Sequence, residues 1–300
     1  MTKNDSTLIK EYHLNLHQPD KAQFVIHDLK AYLKEHPGDT TKPHIHSFYQ
    51  VIWFKSGNGQ HYVDFKAYDV FKNAIFFIAK NQVHYFDQHT DYEGYLIHFS
   101  ELFLGHSDQG IDFLVKCSLF NSPYQTPSCC VGHGIAHMLE GHIGQIKEEL
   151  GNGRGQFGHE DLLRTYLKSF LIQVQRRKNE FERREGKLPF TMDEKRMQLI
   201  QFINLVEKNY TKGYSVVEYA ERMHISTRTL SDLTNQTLNK TPSQIIQERV
   251  VLEAQRMLVH SNFNVNQIGY HLGFEDPSYF VKYFKKHTGL SPSIFRKIIS

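Results

Sequence analysis

The sequence predicts an α+β multidomain protein: an N-terminal β-barrel or jelly roll with a helical extension, followed by an all-α domain. Three observations support this fold class. A helical unit occurs twice in the last third of the 300 residues. Short aromatic and β-branched runs, separated by turn residues, fill the first third. Apolar residues at helical spacing return between these two regions.

The repeated unit lies within residues 214–295. Matching positions keep a nearly constant offset: Val216, Tyr219, Ala220 and Met223 fall on Val265, Ile268, Gly269 and Leu272, 49 positions later, and Leu230, Thr241 and Pro242 fall on Phe280, Ser291 and Pro292, 50 positions later. Self-similarity at a fixed period indicates that one supersecondary unit is used twice.

Each copy predicts a short helix, a tight turn and a second helix, which is a helix-turn-helix. The second helices are expected over 227–238 and 277–287. Two N-cap residues and two residues that tolerate the left-handed conformation set these boundaries: Ser226, Asp276, Asn239 and Gly289. In such units the second helix enters the major groove of DNA. A long helix over 243–260 is expected to hold the two units rigidly apart, and a helix over 195–210 opens the domain.

Many positions of this region agree in order and spacing with one known pattern. They are Ala220, Ser226, Leu230, Thr241-Pro242, Arg249, Ala254, the run Ile268-Gly269-Tyr270-His271-Leu272-Gly273-Phe274, Ser278-Tyr279-Phe280, Phe284-Lys285-Lys286, Gly289-Leu290-Ser291-Pro292 and Phe295-Arg296. On these residues the last third of the chain resembles the DNA-binding domain of AraC/XylS-type bacterial transcription regulators. The resemblance implies a regulator that binds specific DNA sequences.

The first 100 residues have the texture of a small barrel or jelly roll. Six short aromatic and β-branched runs are expected as strands: 23–26, 48–54, 61–65, 74–78, 83–86 and 95–99. The stretch Lys42-Pro43-His44-Ile45-His46-Ser47-Phe48-Tyr49-Gln50, with Gly57 and Gly59 after it, resembles the cupin-like sensor domain of the same family. This resemblance implies a pocket for a small effector, a sugar or a similar metabolite.

Aromatic faces with a few polar groups suit such a pocket. The predicted effector-binding residues are His44, His46, Tyr49, Trp53, His61, Tyr62 and His84. The same residues also suit an ordinary barrel core, and the sequence leaves both interpretations open for each of them.

The histidines allow another interpretation, a metal site. His44 and His46, two apart on a strand, project to one face, and His84 is a candidate third ligand. A site of two histidines and one carboxylate also needs an Asp or Glu, but Gln50 stands near that place and a neutral amide is a poor ligand. The sequence therefore predicts no metal ion, no cofactor and no catalytic residue.

Composition favours a cytoplasmic protein. No segment approaches the roughly 20 apolar residues of a membrane span, and the polar N-terminus lacks a signal-peptide core. Three cysteines, two of them adjacent, give no even disulfide framework. From residue 193 onward the chain has 14 Lys and Arg against 10 Asp and Glu, whereas the remainder has 21 against 22. The positive excess suits a phosphate-binding surface.

The middle of the chain predicts helices over 111–119, 135–150 and 161–181. The broad apolar face within 162–174 either dimerises, as the family implies, or packs on the barrel of its own chain. The expected domains are a barrel over 1–100, a helical extension over 101–182, a charged linker over 183–192 and the DNA-binding domain over 193–300. The basic run Arg176-Arg177-Lys178 is assigned to the linker region.

Base readout requires exposed side chains near the start of each recognition helix. With Leu230 and Leu233 facing inward, the first helix is expected to present Ser226, Thr227, Arg228, Ser231, Asp232 and Asn235. With Phe280, Tyr283 and Phe284 inward, the second is expected to present Asp276, Ser278, Tyr279, Val281, Lys282 and Lys285. Arg228 is the best single candidate, because a bidentate arginine on guanine is the commonest specific contact. Asp232 departs from the family, where a basic residue is usual.

These observations predict a sequence-specific transcription regulator that is not an enzyme and that responds to a small effector in the barrel. Double-stranded DNA, the effector, RNA polymerase and a second copy of the chain are the expected partners, with no membrane. Two alternatives stay open here. One is a metal-dependent cupin enzyme fused to a DNA-binding module, and the other is a regulator controlled by a partner protein, with the barrel as a dimerisation device.

Overall fold

The computed structural model describes residues 10–14, 23–88, 91–104, 113, 117–120, 126–184 and 194–299. The chain divides into two compact units, one within residues 11–190 and one that contains residues 191–300. Each unit is described by itself. Over the described ranges, no helix is both long enough and apolar enough to span a membrane.

In its described residues the N-terminal unit contains two five-stranded sheets, so it is β-rich as the sequence predicts. The strands are β1 (Lys10–Tyr12), β2 (Phe24–Asp28), β3 (His44–His46), β4 (Tyr49–Ser56), β5 (Gly59–Val63), β6 (Lys66–Val70), β7 (Ala74–Ile78), β8 (His84–Phe86), β9 (Glu93–Phe99) and β10 (Ser128–Cys130). We call β1-β3-β8-β5-β6 the outer sheet and β10-β7-β4-β9-β2 the central sheet.

Helices complete this unit. They are α1 (Leu29–Glu35), α2 (Pro37–Thr40), α3 (Glu101–Leu104), α4 (His133–Asn152) and α5 (His159–Arg184), with a 3₁₀ turn at Ser118–Phe120. The buried face of α5 joins one hydrophobic core with α4 and the central sheet. Packing on the barrel of its own chain, one of the two roles considered for this face, is therefore what the structure shows.

The central sheet is buried on both faces. Along β4, Val51 and Trp53 belong to the core shared with the helices, whereas Ile52 and Phe54 belong to the core between the two sheets. Trp53 lies 6.0 Å from the ring of Phe170 on α5. The sequence of a strand with apolar contacts on both faces is a continuous apolar run and does not alternate between apolar and polar residues.

Several local expectations for this unit were wrong. Residues 29–35 form helix α1 inside the region expected to be all β, because the Asp28 carboxylate accepts a hydrogen bond from Ala31 N at 2.9 Å and caps the helix. Strands β6 and β10 were not predicted; β10 pairs with β7 at the edge of the central sheet. The strand expected over 61–65 ends at Val63, because Asp64 and Phe65 form a turn with positive φ.

The basic run at residues 176–178 lies within α5 and not in a linker, and the side chain of Lys178 is buried. Most of the predicted linker, and most of the helix expected over 111–119, fall outside the described residues. These two predictions therefore stay predictions.

The C-terminal unit is all-α and contains the repeated motif. Its helices are α6 (Glu194–Asn209), α7 (Val216–Arg222), α8 (Thr227–Leu238), α9 (Pro242–His260), α10 (Val265–His271), α11 (Pro277–Thr288) and α12 (Pro292–Ile299), with a 3₁₀ turn at Tyr210–Lys212. The predicted helix-turn-helix units are α7 with α8 and α10 with α11.

The predicted caps set the boundaries of both recognition helices. The Ser226 hydroxyl accepts a hydrogen bond from Thr229 N at 3.0 Å, and the Asp276 carboxylate accepts one from Ser278 N at 2.8 Å. At the opposite ends, Asn239 and Gly289 adopt left-handed conformations with φ of 52° and 78°. The residue types alone were sufficient to place these helices.

Helix α9 joins the two motifs and is anchored near its middle and at its C-terminal end. Near its middle, the buried Arg249 guanidinium lies 2.8 Å from Glu207 of α6 and 2.9 Å from Glu253. At its C-terminal end, the Arg296 guanidinium donates to the carbonyl oxygens of Leu258 and Phe263 at 2.6 and 2.7 Å. The sequence predicts a rigid spacer here, and these contacts are what such a spacer requires; its rigidity stays a prediction.

Candidate DNA interface and ligand site

The turn of each helix-turn-helix needs one residue with positive φ. In the second motif this residue is Gly273, with φ of 86°, and an added Cβ would overlap the carbonyl oxygen of Thr211. In the first motif His224 adopts φ of 56° at the corresponding position. Just before the turn, a Cβ on Gly269 would lie 3.2 Å from the Phe280 side chain, which explains the small residue predicted there.

Removing the glycine at one turn position and introducing a glycine at the other are expected to change the free energy of unfolding in opposite directions. Gly273→Ala should destabilise the C-terminal unit by roughly 2 kcal/mol or more, because it adds a left-handed penalty to a steric overlap. His224→Gly, the matched variant, should be neutral or stabilise by up to about 1 kcal/mol. Urea unfolding followed by far-ultraviolet circular dichroism measures both. A Gly273→Ala protein as stable as wild type would contradict this account of the turn.

Helix α8 exposes one polar face. Leu230 and Leu233 are buried as predicted, and the side chains of Thr227, Arg228, Asp232 and Asn235 are exposed, with Ser231 half-buried. Ser226 is exposed, but its hydroxyl serves the helix cap. The free amides at the start of the helix and the Arg228 guanidinium together suit a phosphate and base-edge surface.

Helix α11 exposes a more basic face. Ser278, Tyr279, Lys282 and Lys285 are exposed, and Val281 is half-buried. Tyr283 was expected to face inward with Phe280 and Phe284, but it is only half-buried; its ring lies 5.2 Å from Phe274 and 4.6 Å from His287. Asp276 is exposed and caps the helix. Lys286, also exposed, adds a cation that was not among the predicted DNA-contacting residues.

A cleft of about 550 Å³ lies beside α11 within the C-terminal unit. Its walls come from the start of α7, the first half of α9 and the turn before α11, and they include Asp276, Tyr279 and Tyr283. Two predicted DNA-contacting residues thus line the cleft as well as the surface of the recognition helix.

The N-terminal unit brings five histidines together between its two sheets. They lie on four strands: His44 and His46 on β3, His61 on β5, His84 on β8 and His98 on β9. All five side chains are buried. Ring centroids are 4.3 Å apart for His44 and His84, 4.8 Å for His46 and His84, and 5.9 Å for His46 and His98.

Few polar partners serve these rings. His44 Nδ1 lies 2.8 Å from the carbonyl oxygen of Lys42, and His84 Nδ1 lies 3.3 Å from His61 Nε2. Among the residues that the structure describes, no hydrogen-bond partner reaches five buried ring nitrogens: Nδ1 and Nε2 of His46, Nδ1 of His61, Nε2 of His84 and Nε2 of His98. Buried polar atoms of this kind are rare in folded proteins, so each one requires a reason.

Burial favours the neutral form of four of these rings. It lowers the pKa of His46 well below the ordinary histidine value, with a further contribution from neighbouring His44 and His98. The same cause lowers the pKa of His84 and His98 well below that value and the pKa of His61 to about 3. Neutral imidazoles keep a lone pair on one nitrogen, so the cluster can accept hydrogen bonds or coordinate a cation.

Four of the seven predicted effector residues lie in this cluster, and three do not. Tyr49 and Trp53 are on the opposite face of the central sheet, where the Tyr49 hydroxyl donates to Glu101 at 3.1 Å and Trp53 packs on α5. Tyr62 lies on the other face of β5 from His61 and stacks on Tyr85 with ring centroids 4.5 Å apart. His98 was not singled out, although it alternates with Ile97 and shares the face of Leu96, which belongs to the core between the sheets.

Comparison with known proteins assigns both units. Residues 27–166 match the family described as the AraC-like ligand binding domain, and residues 219–298 match a helix-turn-helix domain. Together these ranges cover more than half of the chain. The chain belongs to the AraC family of DNA-binding transcription regulators.

Relatives of this AraC-family regulator cover most of its length. The HTH-type transcriptional activator RhaS of Pectobacterium carotovorum subsp. carotovorum (strain PC1) is 24% identical over 257 residues, which are 84% of this chain and 86% of that one. The HTH-type transcriptional activator RhaR of Escherichia coli O139:H28 is 23% identical over 275 residues, 90% and 92% of the two chains. The crystal structure of ToxT from Vibrio cholerae O395 is 14% identical and covers 93% of this chain and 99% of its own, with a TM-score of 0.46.

The prediction of a regulator and not an enzyme is confirmed, since these relatives are transcriptional activators. The predicted fold class is confirmed as well, with a β-rich N-terminal domain and a helical C-terminal domain.

Proposed function

We propose that this AraC-family regulator reads an operator of two blocks, with α8 in one major groove and α11 in the next, under the control of a ligand in the N-terminal unit. The two recognition helices flanking α9 are the observation that supports the DNA-reading half. Helix α9 has 19 residues, so it is about 28 Å long at 1.5 Å per residue. This length suits two readers on grooves about 34 Å apart along one face of the DNA.

In this proposal the exposed faces of α8 and α11 each contact one block of the operator. On α8, Arg228 supplies the guanine contact, while Thr227, Ser231, Asp232 and Asn235 are its neighbours on the same face. On α11, Ser278 and Lys282 supply the main contacts, Val281 offers a methyl surface for thymine, and Tyr279 and Lys285 flank them. Ser226 and Asp276 cap the helix starts, and the backbone amides that the caps do not use are available to phosphate.

Arg228→Ala should relax one block of the selected operator, and Lys282→Ala the other. Losing a bidentate contact to a base costs about 1–3 kcal/mol, or roughly 5- to 150-fold in affinity. Selection of bound sequences from a random DNA pool, run on wild type and both variants, measures this. Lys208→Ala, which removes an exposed cation from α6, is the control and should leave both blocks intact. A wild-type motif with only one block, or two variants that lose the same block, would contradict the proposal.

The ligand is proposed to bind at the histidine cluster between the sheets and to shift the population of DNA-competent molecules. The cluster supports this because it gathers unpartnered polar atoms inside a domain that matches a ligand-binding family. A sugar or a similar metabolite, the effector class that the family resemblance implied, would have to bind beside the rings of His44, His46 and His84 and not between them, because those rings are in contact with one another. If operator affinity stayed the same with every ligand that binds this unit, the regulatory half of the proposal would fail.

Further partners follow from the same function. A second copy of the chain is a proposed partner, because α5 still exposes Leu162, Ile172 and Phe181 after covering the central sheet. RNA polymerase is another proposed partner, in keeping with relatives that are transcriptional activators. A regulator of this kind acts where the bacterial chromosome lies, so we place it in the cytoplasm.

A further inference from the structure

Three of the buried histidines have the arrangement of a metal-binding site. One ring nitrogen from each of His44, His46 and His84 lies within 4.8 Å of the other two. At zinc–nitrogen bonds of about 2.0–2.1 Å, three ligands of a tetrahedral ion sit about 3.3 Å apart. Small rotations of the rings are therefore enough to close the site around one ion.

The neighbours of two of these rings select the nitrogen that faces the ion. A hydrogen bond from His44 Nδ1 to the Lys42 carbonyl oxygen requires the proton on Nδ1, which places the lone pair on Nε2. His84 Nδ1 is paired with His61 Nε2, so Nε2 of His84 is its unpartnered atom. Metal-bound histidines usually have their second nitrogen held in this way.

The unpartnered atoms of His46 are the independent observation. The side chain is buried, and neither of its nitrogens has a hydrogen-bond partner within the described part of the chain. A neutral imidazole in this state carries the cost of a buried polar group without compensation. Coordination of a cation by one His46 nitrogen removes the larger part of this burial cost. If His46 only filled space in the core, the full cost would remain.

The size of the site decides between ligand classes. With ring centroids 4.3 to 4.9 Å apart among His44, His46 and His84, the rings are in contact and leave no space for a sugar ring between them. Three imidazoles suit zinc, copper, nickel or iron. Magnesium and calcium are disfavoured, because they prefer oxygen ligands.

We propose that His44, His46 and His84 bind one divalent transition-metal ion, with His61 positioning His84 and with at least one coordination position left for water or an anionic group. The site supplies the ligand of the proposed regulation, so its regulatory role rests on that proposed function. Binding of the ion itself does not depend on it.

The test is a titration of the full-length, chelator-treated protein with Co²⁺ and Zn²⁺. Wild type should bind one ion per chain and give the visible absorption of low-coordinate Co²⁺. His46→Gln should weaken binding by roughly 100-fold or more, and His61→Phe, which removes the partner of His84, by roughly 10- to 100-fold. His137→Gln, on an α4 side chain that is 94% exposed, is the matched control and should bind as wild type does.

The unfolding temperature is a second measurement, which distinguishes a loss of metal binding from misfolding of the variant. Zn²⁺ should raise the unfolding temperature of wild type and of His137→Gln but not of His46→Gln, whose metal-free unfolding temperature should match that of wild type. Equal Co²⁺ affinity in wild type and His46→Gln, or a wild type without a one-to-one site, would overturn the proposal. Operator binding measured with and without Zn²⁺ separates metal binding from metal-dependent regulation. If DNA binding is intact but no metal site exists, only the metal-site proposal fails. If the metal binds without changing operator affinity, only its regulatory role fails.

Discussion

Between pH 7.5 and 5.5 the N-terminal unit is expected to lose roughly 5 kcal/mol of its unfolding free energy. Four almost fully buried histidines of this unit with a strongly lowered pKa, His46, His61, His84 and His98, are neutral when folded and take up protons near pH 6.5 when unfolded. Their contribution is therefore complete above about pH 6.5 and is lost as the pH falls. Each group contributes about 1.4 kcal/mol over this interval, and a loss of that total is a large part of the stability of an ordinary domain.

The single tryptophan makes the measurement specific. Trp53 lies buried in the N-terminal unit, so its fluorescence during urea unfolding reports this unit within the full chain. His98→Phe, which places an apolar ring beside Phe48, should reduce the pH dependence by about one quarter. An unfolding free energy that is flat from pH 7.5 to 5.5 would show that these rings are not held neutral.

Arg249→Met is expected to destabilise the C-terminal unit by about 3 kcal/mol. Removing one partner of a buried ion pair leaves the other charge uncompensated, which typically costs about 3–5 kcal/mol. The lower end applies because the Glu207 side chain is 39% exposed and water screens it. Arg249 also lies over the ring of Tyr210, with its guanidinium carbon 4.0 Å from the ring centroid, and this contact is lost as well.

Two transitions in one unfolding experiment test this prediction. Far-ultraviolet circular dichroism should show the helical unit unfolding at lower urea, while the Trp53 fluorescence transition stays where it is in wild type. Arg228→Met removes an exposed arginine from the same unit and should change the unfolding free energy by less than about 0.5 kcal/mol. Equal effects of the two substitutions would mean that the Arg249 contacts contribute no more than a surface charge does.

The C-terminal unit was predictable because its local signals agree with one another. Cap residues, left-handed residues and apolar spacing each point to the same helix boundaries, and α8 spans the predicted residues. What those signals omit is the contact that a buried charge makes across the fold. Arg249 entered the sequence analysis only through a resemblance, and its partner Glu207 is 42 positions away.

The histidine cluster was only half predictable, for a reason that lies in the central sheet. Because β4 is apolar on both faces, its sequence does not show which parity faces the histidines, and the predicted effector residues therefore come from both faces: Tyr49 and Trp53 lie on the face opposite the histidines. The buried Gln50 is the one polar marker of the inner face on that strand. His44 and His46, on the short strand β3 between β1 and β8, were placed on one face because their two-residue spacing fixes it, and His84 was grouped with them.

Strands of the central sheet, which are apolar on both faces, make the unfolded chain prone to aggregation. The β7 run Ala-Ile-Phe-Phe-Ile has no charge, no proline and a high preference for β structure, which are the features of segments that pair between chains. In the folded protein, helices and the outer sheet cover β7. When the unit unfolds, β7 becomes exposed and can pair with the same segment of another chain. Heating this regulator should therefore end in precipitation and not in refolding, and its working lifetime will depend on how slowly those strands open.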